Sequence, residues 1–213
     1  MLGFGLGAAS ASIVTVGSGA VSITVPDGNA AGITSTIHVN VSSWADSMNS
    51  LSLTLNITGG NEGDLYAYLS YNGTKVTLLN RPGLAGDPAG IGYTGTLGEN
   101  YTLTLSDGNY PNINYTSPTS GGLSGTYNPS AGSVAFTSYN GMNPNGNWVL
   151  FVSDLSGGDN ANVSVLNSWS LTFNAVPEPV NVALGVFAVA LLAGAGLRRA
   201  RGYFKVSSNI KTS

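Results

Sequence analysis

From Leu51 to Thr58 apolar and polar residues alternate without a break: Leu51, Leu53, Leu55 and Ile57 take one parity, Ser52, Thr54, Asn56 and Thr58 the other. A period of two sends successive side chains to opposite faces of an extended chain, so this stretch predicts a strand with one face in a core and one in water. The alternation recurs in Leu65, Ala67 and Leu69, in Tyr101, Leu103 and Leu105, in Trp148, Leu150 and Val152, and in Trp169, Leu171 and Phe173. Between these runs stand Thr58-Gly59-Gly60-Asn61, Asn72-Gly73, Asp107-Gly108 and Asn145-Gly146, where Asn and Gly accept positive φ at little cost and so mark turns. No stretch of helical period and useful length precedes Val180. Many short strands punctuated in this way over about 150 residues predict an all-β fold, a jelly-roll-like antiparallel β-sandwich.

A different pattern closes the chain. Val180 to Leu197 is apolar apart from Asn181, and a helix of that length rises about 27 Å, close to the hydrocarbon thickness of a bilayer. A single transmembrane helix is therefore expected over 180–197. Charge orients it. Up to Val176 the chain has Lys75 and Arg81 against nine acidic residues, a formal balance of −7, whereas Arg198, Arg199, Arg201, Lys205 and Lys211 follow the span with no acid among them. Short basic flanks stay on the cytoplasmic side, so the acidic body is expected outside, with Arg198, Arg199 and Arg201 as the membrane anchor. A body with no basic stripe also argues against nucleic acid, which needs clustered Lys and Arg to displace counterions.

Gly (30 residues), Ser, Thr and Asn dominate the body, and only 8% of the chain is charged, a composition common in exported β proteins. There is no cysteine, so stability has to come from packing and ions rather than disulfides. At the amino terminus Leu2 to Ala9 reads as the end of an apolar leader and Ala9-Ser10-Ala11 as a small-x-small cleavage site, yet the first charged residue is Asp27. Residues 1–11 are read as the remnant of a secretory signal peptide whose translation begins upstream of Met1; the alternative is an uncharged leader.

Val176-Pro177-Glu178-Pro179, the apolar run and Arg198-Arg199-Ala200-Arg201 occur in an order that resembles the PEP-CTERM sorting signal of bacteria that export proteins through an exosortase. The resemblance implies that the tail holds an exported precursor in the inner membrane until an exosortase-type transpeptidase cuts at the box, Val176, Pro177, Glu178 and Pro179. An ordinary single-pass anchor shares every feature except the box.

Two further landmarks frame the body. The first is Val25-Pro26-Asp27-Gly28-Asn29-Ala30-Ala31-Gly32-Ile33-Thr34-Ser35-Thr36-Ile37. The second is Phe136-Thr137-Ser138-Tyr139-Asn140-Gly141 with Asn145-Gly146-Asn147-Trp148-Val149-Leu150-Phe151-Val152-Ser153-Asp154, closing on Asn167-Ser168-Trp169-Ser170-Leu171. With Gly63-Asp64-Leu65, Asn72-Gly73-Thr74 and Gly125-Thr126-Tyr127-Asn128-Pro129 between them, these resemble the P domain (P/Homo B domain) found beside the catalytic domain of subtilisin-like proprotein convertases and many secreted bacterial peptidases. Thr58-Gly59-Gly60-Asn61-Glu62 replaces that family's His-Thr pair, and Tyr71-Asn72 its proline before the Gly-Thr turn. The expected organisation is a signal remnant over 1–11, a P-domain-like sandwich over 12–174 and the sorting signal over 175–213: box 177–179, span 180–197, basic tail 198–213.

Catalytic groups are sparse. The single imidazole, His38, shares parity with Asn40 and Ser42 in Ile37-His38-Val39-Asn40-Val41, which puts it on the wet face of a strand and away from any Ser-His-Asp arrangement. One histidine and no cysteine cannot make the usual zinc site. Calcium is the ion to weigh as cofactor: Asp154 and Asp159 flank Leu155-Ser156-Gly157-Gly158, with Asp64 as a third candidate ligand, and the alternative is that these aspartates cap turns. Trp148 and Trp169 read as core anchors, and Tyr93, Tyr110, Tyr115 and Tyr127 as candidates for surface contact. The sequence therefore points to an exported, non-enzymatic module, structural or adhesive at the bacterial envelope or in an exopolysaccharide matrix. The alternative is an accessory domain that serves a subtilisin-like serine endopeptidase in trans.

Overall fold

Each alternating run becomes a strand in the structure, a computed structural model that describes residues 12–41, 47–82, 100–116, 122–158, 163–175 and 189–192. Among the described residues ten strands are formed: β1 Ser12–Gly17, β2 Ile23–Thr24, β3 Asn29–Val39, β4 Met48–Thr58, β5 Leu65–Tyr71, β6 Thr74–Asn80, β7 Asn100–Ser106, β8 Leu123–Tyr127, β9 Gly146–Asp154 and β10 Val165–Ala175. The larger sheet runs β1-β10-β4-β7-β8 with β2 also on β10; the smaller runs β3-β9-β5-β6. Ala11–Val176 is one compact unit of the chain. Of the second unit, Met1–Ser10 with Pro177–Ser213, only 189–192 is described, as helix.

Period-two parity explains what faces inward. Leu51, Leu53, Leu55 and Ile57 of β4, Leu103 and Leu105 of β7 and Leu171 and Phe173 of β10 are buried from one sheet. Ile37 and Val39 of β3, Leu65, Ala67 and Leu69 of β5 and Trp148, Leu150 and Val152 of β9 are buried from the other. The two sets form one hydrophobic core, which makes the molecule a sandwich. Trp148 lies 5.4 Å, centroid to centroid, from Phe173, and Trp169 Nε1 donates to Ser35 Oγ at 2.9 Å, so each tryptophan reaches across the layers.

Parity fails only where the ladder is interrupted. Between Leu166 and Ser168 of β10 a bulge takes up Asn167, which lets Leu166 and Trp169 both point inward. The displaced Asn167 amide donates to Asn56 Oδ1 and Thr58 Oγ1. A second irregularity separates Asn29 from Ile33 in β3. There Gly32 has φ +55°, and a Cβ on it would lie 2.4 Å from the Val152 carbonyl oxygen, so only glycine fits.

Two expectations change, and a third lies mostly outside the described residues. Asn72-Gly73 is a two-residue hairpin turn with φ of 46° and 81°, closing β5 on β6, but neither Asp107-Gly108 nor Asn145-Gly146 closes a hairpin. Asp107 instead accepts the N–H groups of Phe136 and Thr137, and the Asn145 amide oxygen accepts the Val41 N–H. Second, the sandwich is not wholly antiparallel: β8 runs parallel to β7. A parallel neighbour needs a long crossover, and the connection passes through a 3₁₀ turn at Ile113–Tyr115. Third, the membrane helix expected over 180–197 lies mostly outside the described residues: only 189–192 of that run is described, as helix, and among the described residues no helix is long and apolar enough to cross a membrane. The signal remnant 1–11, the box Val176, Pro177, Glu178 and Pro179, the anchor Arg198, Arg199 and Arg201, and Asp159 and Tyr93 lie outside the described residues.

Candidate functional site

His38 stands on the exposed side of β3 between buried Ile37 and Val39. Its cross-strand neighbour is Asn147 of β9, and His38 Nδ1 lies 2.7 Å from Asn147 Oδ1. The side chain is thus engaged in a polar pair on a sheet surface.

The structure brings two of the three candidate calcium ligands to one end of the smaller sheet. Asp64 ends the 3₁₀ turn Glu62–Asp64 that leads into β5, Asp154 ends β9, and the Leu155 N–H donates to the Asp64 carbonyl at 2.9 Å. Both carboxylates are nearly inaccessible. Arg81 lies 3.5 Å from Asp64 Oδ1 and supplies a positive charge there; its backbone is held at φ +53° while its N–H donates to the Leu65 carbonyl. Asp154 Oδ1 accepts the Ser156 N–H at 3.0 Å, and across the same end Asp27 Oδ2 accepts the Gly158 N–H at 3.2 Å. Gly28 permits this approach, because a Cβ there would come 2.9 Å from Gly157 Cα. Among the described residues no group of three or more His, Cys, Asp or Glu side chains could hold a metal ion.

Most residues of the sequence landmarks serve packing. Trp148 is stacked on Tyr71 at 3.9 Å and 4°, meets Tyr139 edge-on at 5.1 Å, and donates Nε1 to the Pro144 carbonyl. Tyr139 donates its hydroxyl to the Leu69 carbonyl, and Tyr71 donates to the carbonyl of Asn145. Burial pushes both phenols above the ordinary tyrosine range, most strongly Tyr139, where a backbone hydrogen bond at Val76 opposes the shift. Asp107 is pushed upward by desolvation, opposed by the N–H groups of Phe136, Thr137 and Ala135 that it draws together. Of the tyrosines proposed for surface contact, Tyr110 and Tyr115 are exposed, while Tyr127 is half-buried and donates to the Ser124 carbonyl.

Sequence reasoning missed the rings with the most distinctive setting. Tyr66 and Tyr68 take the parity opposite to Leu65, Ala67 and Leu69, so they face outward, and Phe151 of β9 takes the same side opposite Tyr68. Strand parity alone marks Tyr66 and Tyr68 as outward-facing; nothing local reveals that Phe151 joins them.

No family model matches the chain, and no curated protein does. Among solved structures the chain is similar to the serine protease of Aeromonas sobria. The overlap has a TM-score of 0.45 at 13% identity for the protease in complex with its chaperone, covering 79% of this chain and 28% of that one. For the protease alone the TM-score is 0.44 at 14% identity, covering 78% and 27%. This chain thus spans little more than a quarter of the protease, and likeness at this level bears on neither family nor activity.

Proposed function

We propose that the chain is an exported, non-catalytic β-sandwich module, delivered by its carboxy-terminal signal to the cell envelope or the exopolysaccharide matrix, where its role is structural or adhesive. The observation that carries this reading is the order of Pro177-Glu178-Pro179, apolar run and arginine cluster, which begins directly after the last strand ends at Ala175. Of the described residues that the sequence singled out, Trp148 and Trp169 pack in the core, Asp154 caps a turn and Asp64 pairs with Arg81, while His38, Tyr110 and Tyr115 lie on the surface, where a structural or adhesive module would act.

A second reading has its own support. The landmarks from Val25 to Leu171 resemble a P domain in order, and that resemblance favours a module that binds a subtilisin-like peptidase in trans. Co-purification from the producing cells with a peptidase that lacks its own P domain would favour this second role.

The test of the leading reading is replacement of Pro177, Glu178 and Pro179 by alanine in the producing cell, followed by fractionation and mass determination. The variant accumulates as a membrane-bound precursor if an exosortase-type transpeptidase reads the box. Normal processing of the variant would leave a plain anchor.

A further inference from the structure

The outer face of the smaller sheet combines half-exposed aromatic rings with an unsatisfied positive charge. Three cross-strand rows make up its centre. Thr34, Phe151, Tyr68 and Thr77 lie in register across β3, β9, β5 and β6. Tyr66 and Asn80 flank this row on one side, where their neighbour Ser153 is fully buried, and Thr36, Val149, Ser70 and Lys75 flank it on the other. Phe151 and Tyr68 are stacked at 4.7 Å and 13°, and Tyr66 meets both edge-on at 6.4 and 6.3 Å. Lys75 Nζ sits 4.7 Å from the Tyr68 centroid, on a face that carries no carboxylate in these rows.

Two contrasts single this surface out. The hydroxyls of Tyr71, Tyr127 and Tyr139 all donate to backbone carbonyls, whereas those of Tyr66 and Tyr68 have no hydrogen-bond partner among the described residues. Of the two basic side chains in the body, Arg81 is paired with Asp64, while Lys75 makes no ion pair among the described residues. In a body with nine acidic residues, an exposed lysine held against a tyrosine, with no ion pair among the described residues, is a charge open to an external partner.

We propose that this face binds an acidic polysaccharide, an inference that rests on the matrix reading above and names its surface. Sugar C–H groups pack on the exposed aromatic edges and on the Tyr66 ring, the free phenol hydroxyls and the Ser and Thr rows bond to sugar hydroxyls, and Lys75 pairs with a sugar carboxylate. A peptide adding as a strand is excluded from the centre of this face, because β5 and β9 are each paired on both sides.

The full chain, held in mild detergent, is titrated calorimetrically with oligogalacturonate and with a neutral maltodextrin of the same length. The acidic chain is expected to bind at least about tenfold more tightly, the size of one charge-assisted contact, with affinity falling as salt is raised. Lys75→Gln is expected to bring the acidic chain down to the affinity of the neutral one. Tyr68→Ala is expected to weaken both about tenfold or more, and Thr54→Val on the opposite sheet to change neither. Lys75→Gln alters only a solvent-facing side chain, so it carries the test even if Tyr68→Ala fails to fold. Absence of binding by the acidic chain, equal binding of the two glycans, or acidic binding indifferent to Lys75→Gln would each overturn the proposal. A failure here with normal box-dependent processing counts against the surface alone, and a loss of box dependence counts against the delivery reading alone.

Discussion

The larger sheet turns Ser52, Thr54, Asn56 and Thr172 to its outer side and keeps its rings Tyr101, Trp169 and Phe173 in the core, whereas the smaller sheet is aromatic on both sides, with Trp148 and Tyr71 within and Tyr66, Tyr68 and Phe151 without. On the larger sheet the polar groups answer one another: Thr15 with Thr172 at 2.8 Å, Thr54 with Thr104 at 3.1 Å, and Asn167 with Asn56 and Thr58. On the smaller sheet the inner rings are held by stacking and by hydrogen bonds to backbone carbonyls, whereas the outer rings stack on one another and their phenol hydroxyls have no hydrogen-bond partner among the described residues. On the proposed reading, the larger sheet serves as frame and the smaller one carries the interacting surface.

The contrast is broken most severely in the core. Trp148→Ala is expected to destabilise the sandwich by about 3–5 kcal/mol, since it empties a site shared by Tyr71, Tyr139 and Phe173, and Trp169→Ala by a similar amount. Chemical denaturation measures both; midpoints unchanged from the parent would make these rings surface features. Tyr139→Phe removes only the hydroxyl bonded to Leu69 and is expected to cost about 1 kcal/mol.

The same inner tyrosines give the smaller sheet an alkaline signature. Tyr71 and Tyr139 have folded-state pKa values raised above the ordinary 10.0 by burial, so the folded state keeps protons that the unfolded chain releases. Stability from this source is full below pH 10.0 and is lost as pH climbs from there toward the folded values. Melting temperatures recorded between pH 8 and 11 should fall on the alkaline side, and Tyr139→Phe should flatten that fall. An alkaline limb of the same slope in parent and variant would remove the tyrosine from the account.

Smaller effects sharpen the comparison at the edges of the molecule. Asp107→Ala withdraws the acceptor for the Phe136 and Thr137 N–H groups and is expected to cost about 1 kcal/mol, the usual worth of such a cap. Adding calcium or EDTA is expected to leave the melting temperature where it is, because Arg81 provides the charge beside Asp64 and Asp154 already accepts a backbone N–H. A clear rise with calcium would restore Asp64, Asp154 and Asp159 as ligands. His38→Ala should change nothing in a peptide-hydrolysis assay, and cleavage abolished by it would overturn the non-enzymatic reading.

Much of this was legible locally. The alternation over Leu51 to Thr58 and in its companion runs foretold strands and their inward faces, and it put His38 on the wet side, because side-chain direction in an extended chain depends only on residue parity. The candidate surface was legible in part: the same parity sends Tyr66 and Tyr68 outward, yet their meeting with Phe151 and Lys75 depends on which strands lie beside β5. Turn signals were less informative, since Asn-Gly and Asp-Gly permit a turn without choosing what it joins. Asn72-Gly73 closes a hairpin; Asp107-Gly108 opens a crossover to a parallel strand.

The amino-acid sequence by itself determined strands β4, β5, β7, β9 and β10 with their buried parity between bulges, and the charge asymmetry between body and tail, because each depends on composition or on neighbours one or two positions away. Tertiary structure alone decided that β7 and β8 run parallel, that Ser35 receives the Trp169 indole, and that Arg81 lies against Asp64. It also decided that Phe151 stacks on Tyr68 from 83 residues away in the chain. Those pairings follow from strand order and register, which are set by how two whole sheets bury their faces together and have no signature in a local run of residues.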